Sequence, residues 1–155
     1  MNRPETACDS FSKGITCSAA VLSAFSSDMG LDEKTARKIA CGFGAGISRT
    51  GNICGAVSGA IMVIGLKYGK EAPGDDGGAT ENTRALTRQF LQEFTQKHGS
   101  VNCTSILGYN LSVQVEYDEA AKANLFKTKC PACVHDAAEI LERIFVREWI
   151  YGEEQ

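Results

Sequence analysis

At 155 residues the chain is long enough for one domain with its own core and short for two. Hydrophobic residues at 43% against 23% charged exclude a disordered chain. A net charge of −3, with no Lys/Arg run, gives no electrostatic reason to expect nucleic acid. The opening Met1-Asn2-Arg3-Pro4-Glu5 has no apolar core behind a basic region, so no secretory signal is expected. The best candidate for a membrane span, Ile53 to Leu66, is shorter than the roughly 20 apolar residues a bilayer needs. Three glycines also interrupt it, so no membrane insertion is expected and the expected location is the cytoplasm.

Helical periodicity dominates the chain from its first apolar run. Val21, Phe25 and Met29 repeat every four residues with Leu22 beside them, and Gly30 stops the helix. Asp32 is the expected N-cap of a second helix, with Glu33 in its first turn and Ala36, Ile39, Ala40 and Phe43 on one face. The glycine-rich stretch from Gly42 to Gly51 leads into a third helix, from Asn52 to about Tyr68. That helix is apolar almost all round, the mark of a buried central element. Gly55 and Gly59, with Ala56 and Ala60, leave room on it for another helix to approach closely.

Pro73 to Gly78 reads as an exposed loop, part of a connection at about residues 70–80 inside a single domain covering 1–155. Thr80 is the expected cap of the next helix, whose stripe is Leu86, Phe90, Leu91 and Phe94 before Gly99. A short turn follows at Cys103 to Leu107. Val113, Val115 and Tyr117 alternate as a strand does, but a lone run has no pairing partner and is expected to be extended chain. Asp118 then opens a short helix toward Phe126, and Val134, Ala137, Ala138, Leu141, Ile144 and Phe145 define a final helix. The expected fold is an all-α single-domain bundle around the buried third helix.

Seven cysteines are many for a cytoplasmic chain of this length. A reducing compartment disfavours structural disulfides, so such a set points to metal binding or redox chemistry. Cys17, Cys54, Cys103, Cys130 and Cys133 all fall at or near the expected first turns of their elements. There, unpaired N–H groups and the positive end of the helix dipole favour the thiolate. Cys41 is expected to be packing in the second helix, and Cys8 has no assigned role.

The segments Cys17-Ser18-Ala19-Ala20-Val21-Leu22, Gly42-Phe43-Gly44-Ala45-Gly46, Cys54-Gly55-Ala56-Val57-Ser58-Gly59-Ala60, Gly99-Ser100-Val101-Asn102-Cys103 and Lys129-Cys130-Pro131 occur in that order. Together they resemble the C-GCAxxG-C-C family of redox-active proteins, over about residues 17–141. The resemblance implies four characteristic cysteines, which map onto Cys17, Cys54, Cys103 and Cys130, with Cys133 as the other candidate for the fourth place. It supplies no substrate and no reaction.

Four thiolates suit a tetrahedral zinc or an iron–sulfur cluster. The leading expectation is therefore electron transfer or redox handling through a metal centre or cluster on Cys17, Cys54, Cys103 and Cys130, with a redox protein as partner. The chain would then act as an oxidoreductase or as an accessory to one, and a homo-oligomer is compatible with it. The alternative is a thiol–disulfide protein using Cys130 and Cys133. Cys130-Pro131-Ala132-Cys133 is a C-x-x-C whose expected helix-start position, with Lys127 and Lys129 nearby, would lower a thiol pKa. The third alternative is a non-catalytic interaction module in which all seven cysteines are packing. His135 is a further candidate ligand, though a surface position suits it better. Gly42 to Gly46 with Arg49 matches a phosphate loop only weakly, because no strand precedes it. Neither His135 nor His98 can be placed in a catalytic triad from the sequence, and the Asp75-Asp76 and Asp32-Glu33 pairs read as a solvated loop and a helix start.

Overall fold

A computed structural model describes residues 1–74 and 76–151. Asp75, half of the acidic loop pair, and residues 152–155 lie outside the described residues. The fold is all-α, a single domain, with no strand among the described residues. Among the described residues eight right-handed α-helices follow one another: α1 (Arg3–Ser12), α2 (Cys17–Ser26), α3 (Glu33–Ala40), α4 (Gly55–Tyr68), α5 (Ala79–His98), α6 (Cys103–Leu107), α7 (Gln114–Lys122) and α8 (Leu125–Tyr151).

The apolar α4 is the central element, as its sequence predicts. Its Ala56, Val57, Ala60, Val63 and Ile64 are fully buried between α2, α5 and α8. Val21 and Phe25 of α2, Phe90 and Phe94 of α5, and Val134, Ile140, Leu141 and Ile144 of α8 complete this core. The α2–α4 contact is the closest. A Cβ added at Gly59 would stand 2.5 Å from the Ser18 carbonyl oxygen and 3.1 Å from Val21 Cβ. A small second cluster, Cys103, Leu107, Leu111 and Ala120, gathers α6 and α7 beside the start of α8, with Tyr117, Phe126 and Cys130 packed against it.

Several sequence expectations need correction. The first helix of the chain, α1, was not anticipated. It is opened by a capping box, in which the Asn2 side chain accepts from the Glu5 N–H and the Glu5 carboxylate accepts from the Asn2 N–H. Asp32 caps α3 as expected, accepting from the Thr35 N–H at 3.0 Å, but only Ala36 and Ala40 of its predicted face are buried. Ile39, still within α3, and Phe43, in the tight turn over Cys41–Phe43, both stand exposed. Thr80 does not cap α5. Asp76 does, accepting from the Gly78 and Thr80 N–H groups, while Thr80 sits inside the first turn.

Residues 114–117 are not extended chain but the first turn of α7. Val113 is the N-cap of α7, and Val113 and Val115 point outward, so their alternation reflects exposure rather than a buried strand face. The final helix begins at Leu125, earlier than its apolar stripe suggests. Cys130 and Cys133 therefore lie inside α8 and not at its start.

Candidate functional site

Three of the predicted site cysteines do open helices. Cys17 is the first residue of α2, Cys54 the N-cap of α4 and Cys103 the first residue of α6. Asn102 caps α6 by accepting from the Ser105 N–H. The strands of chain entering α4 and α6 pair antiparallel for a single step, Ile53 opposite Asn102. The Cys54 N–H donates to the Val101 carbonyl at 2.8 Å, and the Cys103 N–H donates to the Asn52 carbonyl at 2.7 Å. This ties the starts of α4 and α6 side by side and fixes two cysteines together.

Between α3 and α4 runs the most unusual backbone among the described residues. Ala45, Gly46, Ile47, Ser48 and Arg49 all have positive φ, from 51° to 66°. Gly44–Ser48 is therefore a left-handed turn, closed by the Arg49 N–H on the Ala45 carbonyl at 3.0 Å. Left-handed conformation costs about 1–2 kcal/mol for each residue with a Cβ. A run of it persists only where the surroundings hold it, and such strain gathers at functional sites. Gly46 is required by φ and by close approach, and Gly55, the first residue of α4, by close approach alone. A Cβ on Gly46 would lie 2.7 Å from Cys103 Cβ, and one on Gly55 would collide with Cys17 Sγ.

These elements enclose a cavity of about 370 Å³ at the seam between the main core and the second cluster. Cys17, Cys54, Cys103, Cys130 and Cys133 all line it, together with Phe11, Ile106, Leu107, Leu111, Tyr117 and Phe126. Cys41 lies at the exposed edge of the same cavity, which corrects its assignment as packing. Cys8 stays apart, its thiol donating to the Pro131 carbonyl at 3.6 Å. Arg49 is the only charged side chain on the wall among the described residues. Its guanidinium stacks 3.9 Å over the Tyr117 ring and donates to the Tyr117 hydroxyl at 2.9 Å.

The thiols act on one another. Burial and then the neighbouring sulfurs of Cys17, Cys54 and Cys103 push Cys130 up to about 12. Burial, Cys54 and Cys17 push Cys103 up to about 12 as well. Cys17 is raised by burial and by Cys54, against the pull of the Ala45, Ser18 and Cys17 N–H groups. Cys54 is raised well above the usual thiol value by its hydrogen bond with Cys133 and by burial, while the Ala56 and Val57 N–H groups oppose this. Each of Cys17, Cys54, Cys103 and Cys130 thus has its ionisation opposed by another cavity sulfur, Cys54 by that of Cys133. The lowered pKa expected for the C-x-x-C pair does not occur at Cys130, because that residue sits inside a helix, out of reach of orphan N–H groups.

Among the described residues no three cysteine sulfurs all lie within 4.8 Å of one another. The one group meeting that spacing is His135, Asp136 and Glu139, outside the cavity. Its carboxylates already face a cation, with Lys97 Nζ 2.8 Å from Glu139 and 3.5 Å from Asp136. His98, which sequence reasoning left without a role, bridges the two regions. Its Nε2 is 2.9 Å from Asp136 Oδ2 and its Nδ1 3.8 Å from Cys133 Sγ. No linear signal could have joined these three residues, which come from the end of α5 and the middle of α8.

An all-α domain with its cysteines gathered round one cavity is the class of protein that fold and site define. The chain belongs to the C_GCAxxG_C_C family, described as "Putative redox-active protein", whose family model matches residues 15–144. No curated protein matches the chain, and no solved structure does. Among the described residues no helix is long and apolar enough to cross a membrane.

Proposed function

We propose that this protein transfers electrons through an iron–sulfur cluster held by Cys17, Cys54, Cys103 and Cys130. The observation that carries this reading is that Cys17, Cys54, Cys103 and Cys130, brought from α2, α4, α6 and α8, line one mostly apolar cavity. Neutral thiols packed this way repel one another once ionised, so the arrangement favours a ligand that brings positive charge. A metal supplies that charge and deprotonates its sulfur ligands outright.

The donor set and its spacing suit a cluster better than a single ion. A tetrahedral zinc with Zn–S bonds of about 2.3 Å needs sulfurs about 3.8 Å apart. The absence of any sulfur triplet within 4.8 Å fits the wider spread of ligands around a polynuclear core. Such a cluster would supply a one-electron couple. The chain's own contribution is to orient the ligands. N–H groups of Ala45 and Ser18 point at the Cys17 sulfur, and those of Ala56 and Val57 at the Cys54 sulfur. Hydrogen bonds to ligand sulfur stabilise the reduced, more negative state. Phe11, Ile106, Leu111 and Phe126 give the cavity apolar walls.

Purification without oxygen, followed by iron, sulfide and zinc analysis, tests the reading. Iron and acid-labile sulfide in the full-length protein, lost in Cys17→Ser and Cys54→Ser, are the expected result. Full iron and sulfide loading in Cys17→Ser would overturn it, as would zinc without sulfide. So would an oxidised Cys130–Cys133 pair in a metal-free protein.

A further inference from the structure

Six of the seven arginines are ion-paired. Arg3 faces Asp28, Arg37 faces Glu33, Arg84 and Arg88 face Glu81, and Arg143 and Arg147 face Glu93. Arg49 is the exception: among the described residues no carboxylate pairs with it, although acidic residues outnumber basic ones by 19 to 16. It is also the one charged side chain on the cavity wall among those residues, and it is exposed, so the cavity's charged end opens to solvent. Its backbone stands at a φ of 65°, a conformation unfavourable for any residue with a Cβ.

The guanidinium is held in place. It lies 3.9 Å over the Tyr117 ring, and Nη2 donates to the Tyr117 hydroxyl at 2.9 Å. Tyr117 packs in turn on Phe126, with ring centroids 5.2 Å apart. Nε and Nη1 meet no acceptor among the described residues. An aimed cation without an anion therefore borders walls that are otherwise mostly apolar.

We infer that this cavity binds a small organic carboxylate, its anionic end on Arg49 and its apolar body against Leu111 and Phe126. A carboxylate matches the planar guanidinium fork with two oxygens and a single charge. The cavity volume of about 370 Å³ falls in the range of about 300–1,000 Å³ usual for small-molecule sites. Phosphate fits less well, because its further charge and oxygens would meet no second cation. The turn offers it little as well, since the Arg49, Thr50 and Asn52 N–H groups already donate to the Ala45, Ile47 and Gly46 carbonyls. The inference uses no sulfur and stands apart from the cluster reading.

The test is titration calorimetry on the full-length protein purified without oxygen, with iron and sulfide assayed on the same samples. The probes are benzoate and hexanoate, with neutral benzamide and inorganic phosphate as contrasts. Both carboxylates are expected to bind saturably, and benzamide about tenfold more weakly or worse, because it lacks the charge. Arg49→Asn should weaken the carboxylates about tenfold or more, since asparagine tolerates the left-handed backbone but brings no cation. Tyr117→Phe keeps the stacking surface and should cost less. Arg84→Gln, on α5 and outside the cavity, should bind as wild type does.

No saturable binding of either carboxylate would overturn the inference, as would undiminished binding in Arg49→Asn or an equal loss in Arg84→Gln. Benzamide binding as tightly as benzoate, or phosphate binding more tightly, would overturn the carboxylate. Loss of iron in Arg49→Asn, with no carboxylate bound by wild type, would make Arg49 the counter-charge of the centre instead. An iron-free protein that still binds benzoate through Arg49 would bear the inference out and overturn only the cluster reading.

Discussion

At the scale of single residues, the site depends on atoms that are missing. Gly55 has no Cβ, and the Cys17 sulfur occupies the place where one would be, with the Phe43 carbonyl and Gly44 Cα each 3.2 Å away on other sides. Backbone on two sides leaves only the sulfur to yield. Gly55→Ala is therefore expected to displace Cys17 and weaken metal binding about tenfold or more. Competition with a chelator measures this, and wild-type retention of iron would show that the Cys17 side chain can turn without cost. Gly59 makes the parallel argument for stability. Its neighbour is the Ser18 carbonyl, whose serine Oγ is already committed to the Ala40 carbonyl at 2.7 Å. Gly59→Ala should cost about 1–3 kcal/mol by overpacking the α2–α4 contact. Urea unfolding tests that, and an unchanged midpoint would mean the two helices can separate freely.

At the scale of elements, the left-handed turn matters most. It places the Ala45 N–H on the Cys17 sulfur and lets Gly46 pass against Cys103, so one strained segment serves two of the four thiols. Ile47 bears the least suitable side chain for such a turn. It is β-branched at a φ of 64°, 39% exposed, and not on the cavity wall. Relief of about 1–2 kcal/mol of left-handed strain is set against about 0.5–1 kcal/mol of added chain entropy for glycine. Ile47→Gly is accordingly expected to leave stability unchanged or raise it by up to about 1 kcal/mol, with iron content intact. A loss of more than 1 kcal/mol in urea unfolding would show that the Ile47 side chain contributes packing that outweighs the strain. Pro131 adds a smaller irregularity in α8. It has no N–H to offer the Lys127 carbonyl, one turn before the cavity cysteines.

For the whole molecule, the buried thiols link stability to pH. Cys103 and Cys130 are pushed up to about 12 in the folded protein, against a usual value of 9.0, and Cys17 and Cys54 are raised as well. Above pH 9 the unfolded chain has released protons that the folded chain still holds. Stability of the metal-free protein is therefore fully present below about pH 9 and declines as pH rises toward 12. Tyr68, pushed up to about 12 by burial and by Glu148, adds a decline of the same sign above pH 10. Urea midpoints of the reduced, metal-free protein should fall between pH 8 and 10.5, and less steeply in the Cys103→Ser, Cys130→Ser double variant. Equal slopes would show that the thiols ionise normally in the fold.

The sequence by itself determined the helices that bury apolar stripes. The period of α2, α5 and α8 and the all-round apolar character of α4 follow from side-chain chemistry alone, and so does the all-α class. It also placed Cys17, Cys54 and Cys103 at or near the starts of their elements, because apolar periodicity marks those boundaries. The Asn2–Glu5 box could have revealed α1, since N-x-x-E is a local signal. Only the tertiary structure decided the rest. Local rules could not place Cys130 within α8, because the turn before Leu125 leaves no strong stop in the apolar pattern. Nor could they predict five positive φ values, four at residues with a Cβ, since packing against Cys17 and Cys103 imposes that conformation against intrinsic preference. The raised thiol pKa values and the contact from Asp136 through His98 to Cys133 arise from burial and proximity between distant segments, which linear spacing does not encode.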